Sequence, residues 1–158
     1  MMIPFKNEPE TWARLDYSIM MRGFLKAYTD SALLKKDMEW LTSEDYNIIE
    51  FDCREWSNTD SIHFSLSSKI DYVNGAGYAW GCLDESLNEL EIKETGLVVL
   101  VDYFDFVNFK MSELLIECFV RSAQRHVLFN QRLLILIKVE KNRNFKLNPF
   151  GAFNFCWY

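Results

Sequence analysis

The sequence predicts an α/β fold, a small and mainly parallel sheet flanked by helices, and three observations carry that expectation. Two runs, Leu97-Val98-Val99-Leu100-Val101 and Leu133-Leu134-Ile135-Leu136-Ile137, are apolar without alternation, the pattern of strands buried on both faces. Segments before and between them place apolar residues at helical spacing. At 158 residues, 49% of them apolar, the chain has material for one sizeable core rather than two. Strands that alternate with helices are joined by crossovers, and crossovers favour parallel sheets.

Taken in order, residues 1–16 carry Pro4, Pro9 and several charges, and read as a lead-in that packs through Trp12 and Leu15. Residues 18–28 read as two short strands around Arg22-Gly23, a hairpin. In residues 31–42, Leu34, Met38 and Leu41 mark an amphipathic helix with Ser31 as its cap. Residues 46–52 form a β-rich run and 58–70 a second helix, followed by an irregular stretch around Asn74-Gly75.

Residues 78–90 are the most legible helix, with Trp80, Leu83, Leu87 and Leu90 on one stripe. Gly96 breaks the chain before the first apolar run, and a long helix over 112–126 precedes the second. The expected organisation is an N-terminal hairpin-helix extension over 1–44 packed on the same domain, a central unit over 45–140, and a tail or edge strand over 141–158.

Charge and cysteine usage exclude several functions. A net charge of −6 disfavours direct binding of nucleic acid, whose phosphates must be met by Lys and Arg. Cys53, Cys82, Cys118 and Cys156 stand far apart and form no metal-ligand spacing, so reduced thiols, no metal and a cytoplasmic location are expected. No apolar run reaches the length of a membrane span.

Catalysis finds little support. The two histidines, His63 and His126, lie in predicted helices away from any nucleophile motif and read as structural or surface residues. The stretch Gly75-Ala76-Gly77-Tyr78-Ala79-Trp80-Gly81 precedes a helix, where exposed amides attract phosphate. It lacks a preceding strand and a following Lys-Ser/Thr pair, so nucleotide binding is the minor alternative.

The stronger signal is acidic. From position 71 to 94, Asp71, Asp84, Glu85, Glu89, Glu91 and Glu94 face only Lys93, a local charge of −5 around one helix. Such a concentration is either a solvated face or a surface for a basic partner.

The segment Gly77-Tyr78-Ala79-Trp80-Gly81-Cys82-Leu83-Asp84-Glu85-Ser86-Leu87-Asn88-Glu89-Leu90 resembles the signature of the barstar family of ribonuclease inhibitors, in which a glycine loop opens an acidic helix. Order and spacing of the flanking elements extend the resemblance over about residues 45–140. It implies a barstar-like three-layer fold and an immunity-type inhibitor, not an enzyme and without a cofactor. Such an inhibitor occludes the active site of a basic toxin nuclease as a monomer in a one-to-one complex. By position, Glu85 matches the family's principal acid, and the implied partner-binding residues are Tyr72, Gly77, Tyr78, Trp80, Gly81, Asp84, Glu85, Asn88 and Glu89.

The chain departs from the family pattern at Gly81, where an acid is usual, at Ala79, at Gly75-Ala76 and at Arg121. Those departures imply a different partner. A non-inhibitory interaction subunit is the alternative the composition equally allows.

Overall fold

The structure is a computed structural model that describes residues 4–72, 79–93 and 95–140. Its sheet has four strands, all parallel: β1 (Leu25–Tyr28), β2 (Asn47–Asp52), β3 (Leu97–Asp102) and β4 (Leu133–Lys138), in the order β1-β4-β3-β2. Among the described residues six α-helices accompany it: α1 (Pro9–Trp12), α2 (Leu15–Met21), α3 (Ser31–Ser43), α4 (Thr59–Ser67), α5 (Trp80–Asn88) and α6 (Phe109–Leu128).

The layering follows from handedness. Crossovers between parallel strands are right-handed, so strands added in one direction put their helices on one face, and a step in the other direction uses the opposite face. The run β2, β3, β4 advances across the sheet, and α4, α5 and α6 share one core with Phe51, Val99, Val101, Leu133, Ile135 and Ile137. The step from β1 to β2 spans the sheet the other way. Accordingly α3, with Leu34 and Leu41, joins Ile19 of α2 against Val98, Leu100, Leu134 and Leu136. The two apolar runs are therefore divided residue by residue between two cores, which explains why neither alternates in sequence.

The expected hairpin is not formed. Residues 15–21 are helical, with Leu15 and Ile19 one turn apart against the second core. Arg22 caps α2, and Gly23 (φ 95°) and Phe24 (φ 70°) turn the chain out of it, so Arg22-Gly23 is a helix stop rather than a hairpin turn. β1 pairs instead with β4, Leu25 opposite Ile135. Residues 1–44 thus contribute an edge strand and the helices of one outer layer.

Two smaller expectations also change. The cap of α3 is Asp30, whose Oδ1 accepts from the amides of Ala32 (2.8 Å) and Leu33 (3.3 Å), because Ser31 is already inside the helix. Of the lead-in residues, Leu15 packs on the core, whereas Trp12 is 52% exposed, its indole donating to Asn7. The expected tail strand over 141–158 lies outside the described residues.

At the amino ends of the strands the outer layer is locked by a buried carboxylate. Asp16 of α2 has no solvent exposure. Its Oδ2 accepts from Tyr46 Oη (2.7 Å), Arg14 Nη2 (3.0 Å) and Arg132 Nη1 (3.3 Å), and its Oδ1 from Arg14 Nε (3.1 Å) and the Tyr17 amide (2.8 Å). Burial, followed by Asp16, raises the Tyr46 phenol far above its ordinary range and keeps it a donor.

Tyr46 and Arg132 stand just before β2 and β4, and Gly96 just before β3 lies between them. A Cβ at Gly96 would meet Tyr46 Cε1 at 2.6 Å and the Arg132 carbonyl oxygen at 2.7 Å, and the residue has φ +154°. Gly96→Ala is therefore expected to cost about 2–3 kcal/mol through overpacking and backbone strain. Urea denaturation of the variant checks it, and an unchanged midpoint would contradict this packing.

Candidate partner-binding cleft on helix α5

α5 gets its orientation from three sides. Leu83 and Leu87 enter the core beneath it, α6 lies along one flank, and the segment leaving α4 lies along the other. At its first residue, Trp80 packs edge-on against His63 of α4, ring centroids 4.8 Å apart. In its last turn the Leu87 carbonyl accepts from Nε2 of His126, at the end of α6, at 2.7 Å. Both histidines in the sequence therefore grip this helix, one near each end. Both are buried, so the surface alternative for them is set aside.

The exposed side of α5 borders an open cleft of about 630 Å³, lined by Asp71, Tyr72, Glu85, Glu89 and Glu91 among others. Glu85 and Glu89 are exposed and one turn apart. No ion pair or side-chain hydrogen bond engages either of them among the described residues. Lys69 also lines the cleft, but its amine is bound to the Glu50 carbonyl oxygen and lies over the Phe51 ring. Tyr72 is fixed at the rim by a 2.7 Å hydrogen bond between its hydroxyl and His63 Nδ1.

The nine residues named from sequence do not form one surface. Tyr72, Glu85 and Glu89 meet at the cleft. Trp80 packs on His63 and is not among the residues that line the cleft. Gly81 is exposed on the solvent side of α5, with nothing within 4 Å of where a Cβ would stand.

Asp84 and Asn88 turn the other way, toward α6: Asp84 Oδ1 is 3.8 Å from Arg121 Nη1, and Asn88 Oδ1 is buried without a hydrogen-bond donor among the described residues. Helical geometry explains the split, because positions 84 and 88 are rotated by about 100° from 85 and 89. Gly77 and Tyr78 lie outside the described residues. Sequence reasoning read His63 and His126 as structural or surface residues without placing them against α5, and it counted Asp71 and Glu91 only as charge.

The remaining chemistry is spare. Among the described residues no His, Cys, Asp and Glu side chains gather into a group that could hold a metal, and no helix is long and apolar enough to cross a membrane. Cys53 and Cys118 are free, buried thiols. Burial, then the charge of Asp84, pushes the Cys118 thiol up to about 12, and burial raises that of Cys53 as well. The element before the glycine stretch is a helix, α4, and not the strand that a phosphate-binding loop requires.

No protein-family model and no curated protein matches the chain. Among solved structures, it is similar to a chain in the structure of Drosophila ORC bound to AT-rich DNA and Cdc6, with TM-score 0.52 and 16% identity over 89% of this chain and 50% of that one. It is also similar to a chain in the structure of Drosophila ORC bound to DNA, with TM-score 0.49 and 19% identity over 89% of this chain and 82% of that one. The chain spans about half the length of the first of these, and the likeness to it is one of fold.

Two outcomes follow from the geometry of α5. Gly81→Ala is expected to stabilise the protein by about 0.5–1 kcal/mol, since alanine costs less entropy in a helix and meets no neighbour here. Thermal unfolding measures it. Brief maleimide exposure near neutral pH should leave Cys53 and Cys118 unmodified in the folded protein, because only the thiolate reacts and both raised thiols remain protonated. Peptide mass spectrometry reads the outcome.

Proposed function

We propose that the chain is a non-catalytic, barstar-like inhibitor of the immunity or antitoxin type. It seats the basic active site of a toxin nuclease, in first place a ribonuclease, against α5 and the adjoining cleft. The observation that carries this reading is the set of carboxylates of Asp71, Glu85, Glu89 and Glu91 around one concave surface. Within it Glu85 and Glu89 have no cation of their own among the described residues. Carboxylates held without counter-ions on a firm helix attract guanidinium and ammonium groups at long range, and they match the sites a nuclease builds for phosphate.

Tyr72 adds an aromatic rim and Trp80 a rigid base, the residue types on which interface energy concentrates. Of the nine residues the family resemblance implies, Tyr72, Glu85 and Glu89 are the contact set, with Trp80 and Gly81 adjoining. Asp84 and Asn88 lie outside that contact set, Asp84 being 3.8 Å from Arg121 of α6. The reading places the protein in the cytoplasm, where free Cys53 and Cys118 stay reduced. The DNA to which the first structural neighbour is bound does not transfer, since a net charge of −6 and an acidic cleft repel phosphates.

A second reading, a subunit of a larger assembly, is favoured by one observation. Leu128 and Phe129, consecutive at the end of α6, are 81% and 65% exposed.

Titration of the protein into assays of basic bacterial ribonucleases and deoxyribonucleases separates the two. Stoichiometric inhibition is expected, with affinity falling steeply between about 50 and 500 mM salt. Glu85→Gln should lose about 2 kcal/mol or more of binding and Glu89→Gln less. Inhibition that is insensitive to salt and to Glu85→Gln would remove α5 as the contact. No inhibition, together with association that Leu128→Ser abolishes, would favour the assembly reading.

A further inference from the structure

The feature that the family resemblance leaves unused is the pair of buried histidines at the two ends of α5. They differ in what a second proton does to them. His126 donates from Nε2 to the Leu87 carbonyl, and its Nδ1 lies 2.7 Å from Gln131 Oε1, so both ring nitrogens face acceptors that suit an imidazolium.

His63 is placed otherwise. It is wholly buried in α4, with Nδ1 2.7 Å from the Tyr72 hydroxyl and its ring 4.8 Å from that of Trp80 and 5.8 Å from that of Tyr72. A neutral ring with an unprotonated Nδ1 accepts the Tyr72 O–H. A second proton on Nδ1 turns that acceptor into a donor and makes the hydroxyl give up its orientation. Among the described residues the titratable groups that face it are Tyr72, from the segment after α4, and Asp60 on its own helix; α5 presents Trp80, which does not titrate.

We propose that His63 is a positioning residue for the α5 cleft, holding Tyr72 and Trp80 in place through its neutral ring, so that the partner is bound near neutral pH and released on acidification. This rests on the acidic cleft being the partner site. Burial lowers the His63 pKa, with Asp60 opposing, so the neutral ring prevails at neutral pH. The sign follows. Because the folded value is depressed, the stabilising contact is intact above the ordinary histidine range and is lost as pH falls through the lowered one. The bond from His126 to the Leu87 carbonyl holds the far end of α5 independently of His63, so the loosening acts at Tyr72 and Trp80 without detaching the helix.

A deca-arginine peptide serves as a defined basic probe, with the full chain titrated by calorimetry from about pH 7.5 down to about pH 5, through and below the ordinary histidine range. Wild type should lose about tenfold in affinity across that range. His63→Gln, which keeps a polar side chain but cannot titrate, should bind with little pH dependence, and His126→Gln should retain the wild-type profile. Tyr72→Phe should remove most of the pH effect while leaving the fold, followed by circular dichroism, intact.

Imidazole NMR of the wild type, where two rings give two signals, reports whether the ring that titrates with the affinity is His63. A His63→Gln variant with an undiminished pH dependence would overturn the positioning role while leaving the acidic site standing. Deca-arginine bound equally by wild type and Glu85→Gln, or not bound at all, would overturn the site itself and the positioning role with it.

Discussion

The buried carboxylate of Asp16 is the interaction on which the rest of the structure depends. A charge without solvent exposure costs several kcal/mol to desolvate, and here five hydrogen bonds from Arg14, Tyr17, Tyr46 and Arg132 offset it. Those partners come from the outer helical layer and from the residues that enter β2 and β4. One side chain therefore sets the height of α2 over the sheet and the registration of two strands, with Gly96 of the intervening strand between them. Arg14 carries the tie outward to Glu44 at the end of α3 (2.8 Å), and the Arg132 guanidinium lies 3.7 Å from the Phe5 ring centroid. A second polar tie, Asp37 of α3 accepting from Tyr28 (2.6 Å) and Lys26 (2.7 Å), holds the same layer to β1.

With that layer fixed, the opposite face carries α5 and its acidic cleft. α5 is a short helix whose N-cap residue, Ala79, makes no side-chain capping bond, so its own backbone contributes little stability. Its position comes from Leu83 and Leu87 below, α6 along one flank and a histidine near each end. This arrangement leaves the outward positions 81, 85 and 89 without structural duties. The like charges of Glu85 and Glu89 disfavour the isolated helix slightly, and the packing beneath absorbs that cost.

Much of the sheet was legible because its central strands are covered on both faces and must therefore be apolar throughout, as residues 97–101 and 133–137 are. α5 was legible from the spacing of Trp80, Leu83 and Leu87. α2 was not, because Tyr17, Ile19 and the following Arg22-Gly23 imitate a strand and a turn, and the decisive residue, Asp16, is a buried charge whose partners lie up to 116 positions away. In the site, the acidic face could be read from one helix alone. The inward turn of Asp84 and Asn88 could not, because it depends on where α6 lies, and the grip of His63 and His126 belongs to three helices at once.

The pairing of β1 with β4 also bears on how the chain is made. Leu25 meets Ile135, so the first strand leaves the ribosome about 110 residues ahead of the strand it must lie against, an interval of roughly 5–20 s at ordinary synthesis rates. For that time the apolar faces of α2, α3 and β1 have no sheet to cover, and the carboxylate of Asp16 has no Arg132. Of the described strands β4 is the last to emerge, and its arrival is what joins β1 to the rest of the sheet.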